Sequence, residues 1–198
     1  LPEKLKKKND IKKYGYLSNE YEDYMDLFKN YNFNMVIIPY NINSILINKY
    51  LSSIDCLIVC GNHKGNHNND KDHRQHYSTL KNIYKNIINI NKIRPLPVYF
   101  HCYGYEIIIN IIENKKYMDN NLLTDLQIKE DYFYKKNIFL DKSYQNFISE
   151  YSMTIGFLFN NFKKTVKLKK EYDVLSLLAF GKNKHIIDIM KHKFYPIF

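Results

Sequence analysis

The chain has 198 residues, which suits one domain of roughly 100–200 residues and excludes an array of independent domains. Hydrophobic residues make up 45% and aromatic residues 16% of the sequence, which excludes a largely disordered chain. The net charge of +10 comes almost entirely from lysine, since Arg74 and Arg94 are the only arginines. Proteins that read base edges usually rely on arginine, so we expect no nucleic-acid partner.

Membrane insertion and a disulfide framework are also disfavoured by the sequence. No stretch reaches the roughly 18 apolar residues of a membrane-spanning helix. The lysine-rich segment Leu1–Lys13 is not followed by the apolar core of a secretory signal. The three cysteines, Cys56, Cys60 and Cys102, are too few for a disulfide framework. We expect no membrane span and at least one free thiol.

The first half of the chain alternates between helical spacing of apolar residues and short apolar runs. In chain order these patterns predict a helix over Ser18–Tyr31, a buried strand at Met35–Pro39, a short helix over Asn43–Ser53, a buried strand at Cys56–Cys60, a polar loop over Asn62–His73, a helix over Tyr77–Ile90, a strand at Pro95–Phe100 and an apolar helix over Ile107–Ile112. Such alternation is typical of a parallel sheet covered by helices, with function at the carboxyl ends of the strands.

The second half is less regular and favours antiparallel strands. Short strands are predicted around Leu122–Ile128 and Asn137–Leu140, a strong strand at Tyr172–Phe180, a turn at Gly181–Asn183, and strands at His185–Met190 and Phe194–Phe198 that complete an antiparallel meander. The sequence therefore predicts one α/β domain with a mostly parallel central sheet flanked by helices and with antiparallel C-terminal strands.

Cys102 is the residue that most clearly suggests chemistry. It follows the predicted strand Pro95–Phe100 by two residues and precedes Gly104 and a predicted helix. A sharp strand-to-helix turn exposes a nucleophile at the edge of a sheet, and a helix N-terminus stabilises a thiolate and offers N–H groups to an oxyanion. The competing interpretation is a small buried core cysteine. The strand, glycine and helix around Cys102 favour a nucleophile.

The segment Pro97–Glu106 reads Pro-Val-Tyr-Phe-His-Cys-Tyr-Gly-Tyr-Glu. It resembles Pro-Val/Ile-x-Gly-x-Cys-Leu-Gly-Phe-Glu, the nucleophile segment of the γ-glutamyl hydrolases, a branch of the class I glutamine-amidotransferase-like fold. Ser53–Asn62 is similar to the family's strand that ends in a Gly-Gly pair, and Asn161–Phe162, Lys167–Leu175 and Lys193–Phe198 follow in the family's order. The resemblance covers Tyr21 to Phe198 and implies a flavodoxin-like arrangement of the sheet.

The resemblance implies a thiol hydrolase that cleaves the γ-glutamyl bonds of folylpoly-γ-glutamates or other γ-glutamyl peptides. Cys102 would be the nucleophile, Gly61 and the backbone N–H groups of Asn62 and Tyr103 would form the substrate and oxyanion site, and Glu106 would lie near the substrate. No cofactor is expected. Family members are commonly secreted or lysosomal or vacuolar, whereas no signal peptide stands in this chain. A homodimer is left open.

The general base of the family is a histidine in a Gly-Val-Gln-Trp/Phe-His-Pro-Glu segment after a Tyr-Pro-Val/Ile-Tyr strand. The sequence reaches the counterpart of that strand at Tyr195–Phe198, and no first strand is recognisable before Tyr21. We therefore expect a single domain over residues 1–198 that lacks both segments. We also expect the chain by itself to lack hydrolase activity, because no internal histidine is an obvious substitute for the base.

Three positions depart from the family pattern inside the chain. Phe100 replaces the Gly two residues before the nucleophile, Asn62 replaces the second Gly of the Gly-Gly pair, and Met153 stands where a substrate-side His is expected. Because glycine permits close backbone approach and positive φ, Phe100 and Asn62 predict a narrowed or distorted site. The alternative function is therefore a catalytically inactive binding or scaffold protein of the same fold.

A His-rich stretch near the end of the second predicted strand is a weaker candidate, for a metal site. It contains His63, His67, Asp70, His73 and His76, and imidazole suits zinc or nickel. Glycines and asparagines in the stretch break the helix that such spacing would need. An ordinary polar surface loop is the favoured interpretation.

Overall fold

A computed structural model describes residues 31, 33–39, 42–60, 70–115, 123–125, 133–139, 148–151, 155–180 and 184–198. The described helices are α1 Ser44–Ser53, α2 Asp70–Asn91, α3 Tyr103–Ile112, α4 Phe159–Phe162 and α5 Lys167–Glu171. The described strands are β1 Leu57–Val59, β2 Val98–Phe100, β3 Leu123–Asp125, β4 Phe133–Phe139, β5 Ile148–Tyr151, β6 Ile155–Phe157, β7 Tyr172–Phe180 and β8 Lys184–His192. The molecule is an α/β protein, as the alternation of patterns predicted.

The strands β1 and β2 form the parallel part of the structure. Val59 is level with Phe100 in this pair. The ladder continues past the strands, because the His101 N–H donates to the Val59 carbonyl oxygen at 2.9 Å. The carboxyl ends of both strands therefore lie at one edge of the sheet, where the sequence predicted the functional residues.

The C-terminal segment lies beside β2 and runs parallel to it. Val98 donates its N–H to the Pro196 carbonyl, the Phe198 N–H donates to the Val98 carbonyl, and the Phe100 N–H donates to the Phe198 carbonyl, at 2.8 to 2.9 Å. The prediction that Phe194–Phe198 completes an antiparallel meander is therefore wrong. Four bends at residues 193–196 turn the chain after β8, and this turn redirects the last residues into the parallel sheet.

The antiparallel part of the fold is built from the second half of the chain. The four-stranded sheet has the order β5-β4-β7-β8, and β3 pairs with β6. The strand β7 has the predicted bounds, β3 lies inside the predicted Leu122–Ile128, and β4 extends N-terminally from the predicted Asn137–Leu140. The C-terminal antiparallel strands predicted from the sequence are thus confirmed in β7 and β8.

The helices pack their apolar faces on this framework. In α2 the buried residues Leu80, Ile83 and Ile87 recur at helical spacing. The apolar helix α3 is buried along nearly its whole length. Glu113, directly after α3, accepts hydrogen bonds from the N–H groups of residues 166 to 168 at 2.6 to 3.2 Å. This carboxylate fixes the end of α3 to the start of α5.

Helix α1 is closed at both ends by side chains. Asn43 is its N-cap and accepts from the Leu46 N–H at 3.0 Å. At the other end Arg94 donates to the carbonyl oxygens of Leu51 and Ile54 at 3.0 and 2.9 Å. One of the two arginines of the chain therefore closes the C-terminal end of α1.

The predicted strand at Met35–Pro39 is wrong. These residues are not in a strand, and Met35 and Val36 are 38% and 55% exposed. An apolar run becomes a strand only when a neighbouring backbone completes its hydrogen bonds, and no such pairing involves this run within the described residues. The predicted helix at Ser18–Tyr31, apart from Tyr31, lies outside the described residues, as does the predicted turn at Gly181–Asn183.

Helix α2 begins seven residues before the predicted start at Tyr77. The predicted loop over Asn62–His73 therefore ends at Asp70, and residues 61–69 lie outside the described part of the chain. Within the described residues no helix is both long and apolar enough to cross a membrane.

Candidate active site

Cys102 occupies the sharp turn between β2 and α3. Its backbone has φ 51° and ψ −121°, and the Gly104 N–H donates to the His101 carbonyl across the turn at 3.0 Å. These angles match the first central position of a type II′ turn, which normally requires glycine. A cysteine there is held in a strained backbone conformation, and residues of this kind cluster at active sites.

Helix α3 begins directly after this turn. The Glu106 N–H donates to the Cys102 carbonyl at 3.1 Å, and Cys102 is the N-cap of the helix without a side-chain capping bond. Cys102 is exposed to solvent. The thiol is therefore at an accessible helix N-terminus, where the helix dipole stabilises a thiolate.

Gly104 allows α3 to approach the end of β1. A β-carbon on Gly104 would lie 2.8 Å from both Cγ1 and the carbonyl oxygen of Val59, and 3.2 Å from the carbonyl oxygen of Cys60. Any side chain would push the helix away from the strand. The glycine after the nucleophile thus has a packing reason, in addition to its place in the family pattern.

Two predicted site residues lie on the first turn of α3. Tyr103, at the first helical position, has its ring buried at 1% exposure, while its N–H belongs to the set of helix-start amides that point toward the N-terminus. Glu106 is half-buried on the first turn of α3, four residues after Cys102. Cys102, Tyr103 and Glu106 therefore share the start of α3, with the Tyr103 ring packed in the core. Gly61 and Asn62, the other predicted members of the site, lie outside the described residues.

Phe100 does not occupy the site. Its side chain is 4% exposed and belongs to the hydrophobic core, on the same face of β2 as Val98. Among the described residues, positive φ at a residue other than glycine occurs at Cys102 and Asn114, so position 100 does not need glycine. Alternation along β2 directs the Phe100 side chain into the core. The narrowed or distorted site expected from Phe100 and Asn62 stays a prediction, because Asn62 lies outside the described residues.

His76 is the residue near the site that the sequence did not single out for catalysis. It lies on α2, and its ring packs against that of Tyr103 with the centroids 5.6 Å apart. His101 instead stacks on Tyr99 with the centroids 6.2 Å apart, on the exposed face of β2. In the sequence His76 was noted only as part of the His-rich stretch, because its contact with Tyr103 depends on α2 starting at Asp70 and packing against α3.

The C-terminal segment also reaches this edge of the sheet. Phe198 is paired with Phe100, two residues before Cys102. The segment is held by His192, which is 4% exposed, stacks on Tyr195 with the centroids 4.7 Å apart and accepts from the Phe194 N–H through Nδ1 at 3.1 Å. Burial lowers the pKa of His192 from its ordinary value.

The other two cysteines flank β1 instead of lying within it. Cys56 precedes the strand and is exposed, and Cys60 follows it and is half-buried. The expectation that both sit on a buried strand is therefore wrong, because the strand is only three residues long. Burial of part of the Cys56 side chain nevertheless raises the pKa of its thiol.

The weaker metal-site candidates lie mostly in the segment that the structure does not describe. His63 and His67 lie outside the described residues, and His73 lies on the first turn of α2. Across the ranges that the structure covers, no group of three or more His, Cys, Asp or Glu residues could hold a metal ion.

Comparison with known proteins identifies the fold. Neither a protein-family model nor a curated protein matches the sequence. The structure is similar to the glutaminase domain of CTP synthase from Trypanosoma brucei, solved with bound acivicin, with a TM-score of 0.61 and 9% sequence identity over 93% of this chain and 80% of that chain. The chain therefore has the α/β fold of the class I glutamine amidotransferases, and Cys102 lies at the turn between a strand and a helix of that fold.

Proposed function

We propose that this protein is a cysteine-dependent hydrolase that cleaves γ-glutamyl amide bonds, with folylpoly-γ-glutamates as the substrate class. The observation that carries the proposal is the strained turn at Cys102, with φ 51° at an exposed thiol that begins a helix. A cysteine with a purely structural role is buried in the core and does not require a strained backbone, whereas Cys102 is both exposed and strained. The class I glutamine amidotransferase fold supports acyl transfer from a glutamyl group, and the resemblance of Pro97–Glu106 supports the γ-glutamyl bond.

In the proposed reaction the Cys102 thiolate attacks the γ-carbonyl carbon of the substrate. The tetrahedral oxyanion is stabilised by backbone N–H groups, of which that of Tyr103 lies directly after the nucleophile. The intermediate collapses to a thioester as the C–N bond breaks and the leaving amine takes a proton. Water then hydrolyses the thioester and releases the thiolate.

Glu106 is suited to recognition of the glutamyl group in this reaction. Glu106 lies on the first turn of α3, and its N–H donates to the Cys102 carbonyl at 3.1 Å. In a folylpoly-γ-glutamate the α-nitrogen of the glutamyl donor is an amide, and a carboxylate at that place accepts a hydrogen bond from its N–H. A substrate whose α-nitrogen carries no hydrogen would lose this contact.

The reaction also requires a general base within hydrogen-bond reach of sulfur. The Phe198 carbonyl accepts the Phe100 N–H, so Phe198 lies at the edge of the sheet that carries Cys102. His76 is the described histidine whose ring contacts that of Tyr103, the residue after Cys102. We propose that the general base belongs to a segment that follows Phe198 in a longer protein. In a chain that ends at Phe198, His76 is the histidine to substitute.

Covalent labelling tests the proposal without depending on the base. A chloroketone analogue of glutamine should alkylate Cys102 faster than an apolar chloroketone of the same length, and γ-glutamylglutamate should slow the labelling. The variant Cys102→Ser should not be labelled there. Equal rates for the two reagents, with no protection by γ-glutamylglutamate, would favour the inactive binding or scaffold protein.

Hydrolysis of a folylpoly-γ-glutamate tests the reaction itself. Residues 1–198 are expected to show no measurable turnover, and a longer protein that supplies a histidine after Phe198 should be active and lose activity with Cys102→Ala. General acid–base catalysis contributes on the order of 10²–10⁴ in rate, which is the difference expected between the two chains. Turnover by residues 1–198 that is lost in both Cys102→Ala and His76→Gln would move the base to His76.

A further inference from the structure

The carboxyl ends of β1 and β2 each carry a cysteine. Cys60 directly follows β1, and Cys102 follows β2 by two residues. We propose that Cys60 and Cys102 form a reversible disulfide when the protein meets hydrogen peroxide, so that Cys60 is the resolving thiol of a redox-sensitive pair at the nucleophile. The disulfide would also stop hydrolysis, and this consequence rests on the proposed function. Formation of the disulfide itself does not depend on the proposed function.

The strand register sets the separation of the two residues. Val59 is level with Phe100, and the His101 N–H donates to the Val59 carbonyl, so Cys60 is level with His101 and one residue short of Cys102. Neighbouring strands are about 4.8 Å apart, and consecutive Cα atoms are about 3.8 Å apart, so the Cα atoms of Cys60 and Cys102 are at most about 8.6 Å apart. Disulfides bridge Cα atoms that are about 4.4–6.8 Å apart.

Packing at Gly104 supports the same proximity independently of the register. A β-carbon on Gly104 would lie 3.2 Å from the Cys60 carbonyl oxygen. The backbone of Cys60 therefore lies against the helix turn that begins at Cys102. This approach requires glycine at 104, so the packing that exposes the nucleophile also brings the second cysteine to it.

The two thiols differ in the way that a redox pair requires. Cys102 is exposed at a helix N-terminus, whereas Cys60 is half-buried beside it. Peroxide oxidises the Cys102 thiolate to a sulfenic acid, and hydroxide leaves as the O–O bond breaks. The Cys60 thiol then attacks the sulfenic sulfur, a disulfide bond forms, and water leaves. A dithiol reductant restores both thiols and is itself oxidised.

Mass spectrometry of the peroxide-treated full chain tests the disulfide directly. Wild type should lose two hydrogens and yield a peptide that joins Cys60 to Cys102, and dithiothreitol should reverse the change. In Cys60→Ser, Cys102 should remain as a sulfenic acid that dimedone traps, or proceed to the sulfinic acid. Cys56→Ser is the matched control and should behave as wild type, because Cys56 precedes β1 at the opposite end of the strand.

The outcomes separate this proposal from the proposed hydrolase. A joined Cys60–Cys102 peptide in a protein without hydrolase activity supports the redox pair and counts only against the enzyme. Hydrolase activity that falls in proportion to the disulfide fraction, and that recovers with dithiothreitol, supports both. Irreversible oxidation of Cys102 at the same rate in wild type and Cys60→Ser, or a disulfide through Cys56, would overturn the redox pair.

Discussion

Gly104 and Val59 are in such close contact that position 104 has no room for a β-carbon. A β-carbon there would lie 2.8 Å from the Val59 carbonyl oxygen and 2.8 Å from its Cγ1. The carbonyl cannot move away freely, because it accepts the His101 N–H that extends the parallel ladder. The contact therefore couples the sheet to the helix that starts at the candidate nucleophile.

Gly104→Ala should destabilise the protein. Overpacking of a tight contact costs about 1–3 kcal/mol, which exceeds the gain from the better helix propensity of alanine. Urea unfolding should show the loss in the free energy of unfolding. In a double-mutant cycle with Val59→Ala, removal of Cγ1 should recover only part of the loss, because the carbonyl oxygen remains. An unchanged stability in Gly104→Ala would contradict the close packing.

Cys102→Gly should be more stable than Cys102→Ala. Both variants remove the thiol, but only glycine adopts φ 51° and ψ −121° without strain. The strain costs about 1–3 kcal/mol, and the greater freedom of glycine in the unfolded chain offsets part of the gain. We expect a net difference of about 1 kcal/mol in the free energy of unfolding.

Asn114 provides the matched control for this comparison. It has φ 53° and follows the C-terminal end of α3 by two residues, whereas Cys102 precedes the N-terminal end of the same helix. The Asn114→Gly variant should likewise have a larger free energy of unfolding than the Asn114→Ala variant. If glycine is more stabilising than alanine at position 114 but not at position 102, the turn at Cys102 relaxes around the residue and holds no strain.

The elements that the sequence predicted well are those with strong local patterns. The strand Tyr172–Phe180 is a long apolar run, and Asn43 is a side-chain cap that marks the start of α1. The strand-to-helix turn at Cys102 was also predictable, because Gly104 and the apolar helix follow Cys102 closely in sequence.

The elements that the sequence predicted poorly depend on distant partners. Met35–Pro39 has the composition of a strand, but composition does not provide a neighbouring backbone. Phe194–Phe198 joins β2 in parallel, which depends on residues almost a hundred positions away. The contact of His76 with Tyr103 likewise arises from helix packing. Such long-range choices are governed by tertiary structure and leave little trace in local spacing.

Acidification should weaken the protein through His192. Burial lowers its pKa below the ordinary value of about 6.5, so the unfolded chain takes up the proton before the folded protein does. This contribution to stability is complete above about pH 6.5 and declines as the pH falls toward the lowered pKa of the folded state. Protonation would also remove the Nδ1 acceptor of the Phe194 N–H.

His192→Asn tests this contribution, because the asparagine oxygen can accept the same N–H but does not titrate. The free energy of unfolding of the variant should fall less than that of wild type between pH 7.5 and 5, as measured by urea unfolding at each pH. The other histidines are common to both proteins, so the difference in slope belongs to His192. Parallel pH profiles would show that His192 is not protonated on unfolding in this range.

Cys102 should be the thiol that reacts fastest with iodoacetamide at neutral pH. Exposure alone does not separate it from Cys56, since both side chains are exposed. The difference lies in the thiolate: burial raises the pKa of Cys56, whereas the N-terminus of α3 stabilises a thiolate at Cys102. Competitive alkylation followed by peptide mass spectrometry gives the rate at each site. Faster labelling of Cys56 or Cys60 in the folded protein would remove Cys102 from the role of nucleophile, and the same comparison in urea, where the helix is lost, should bring the three rates together.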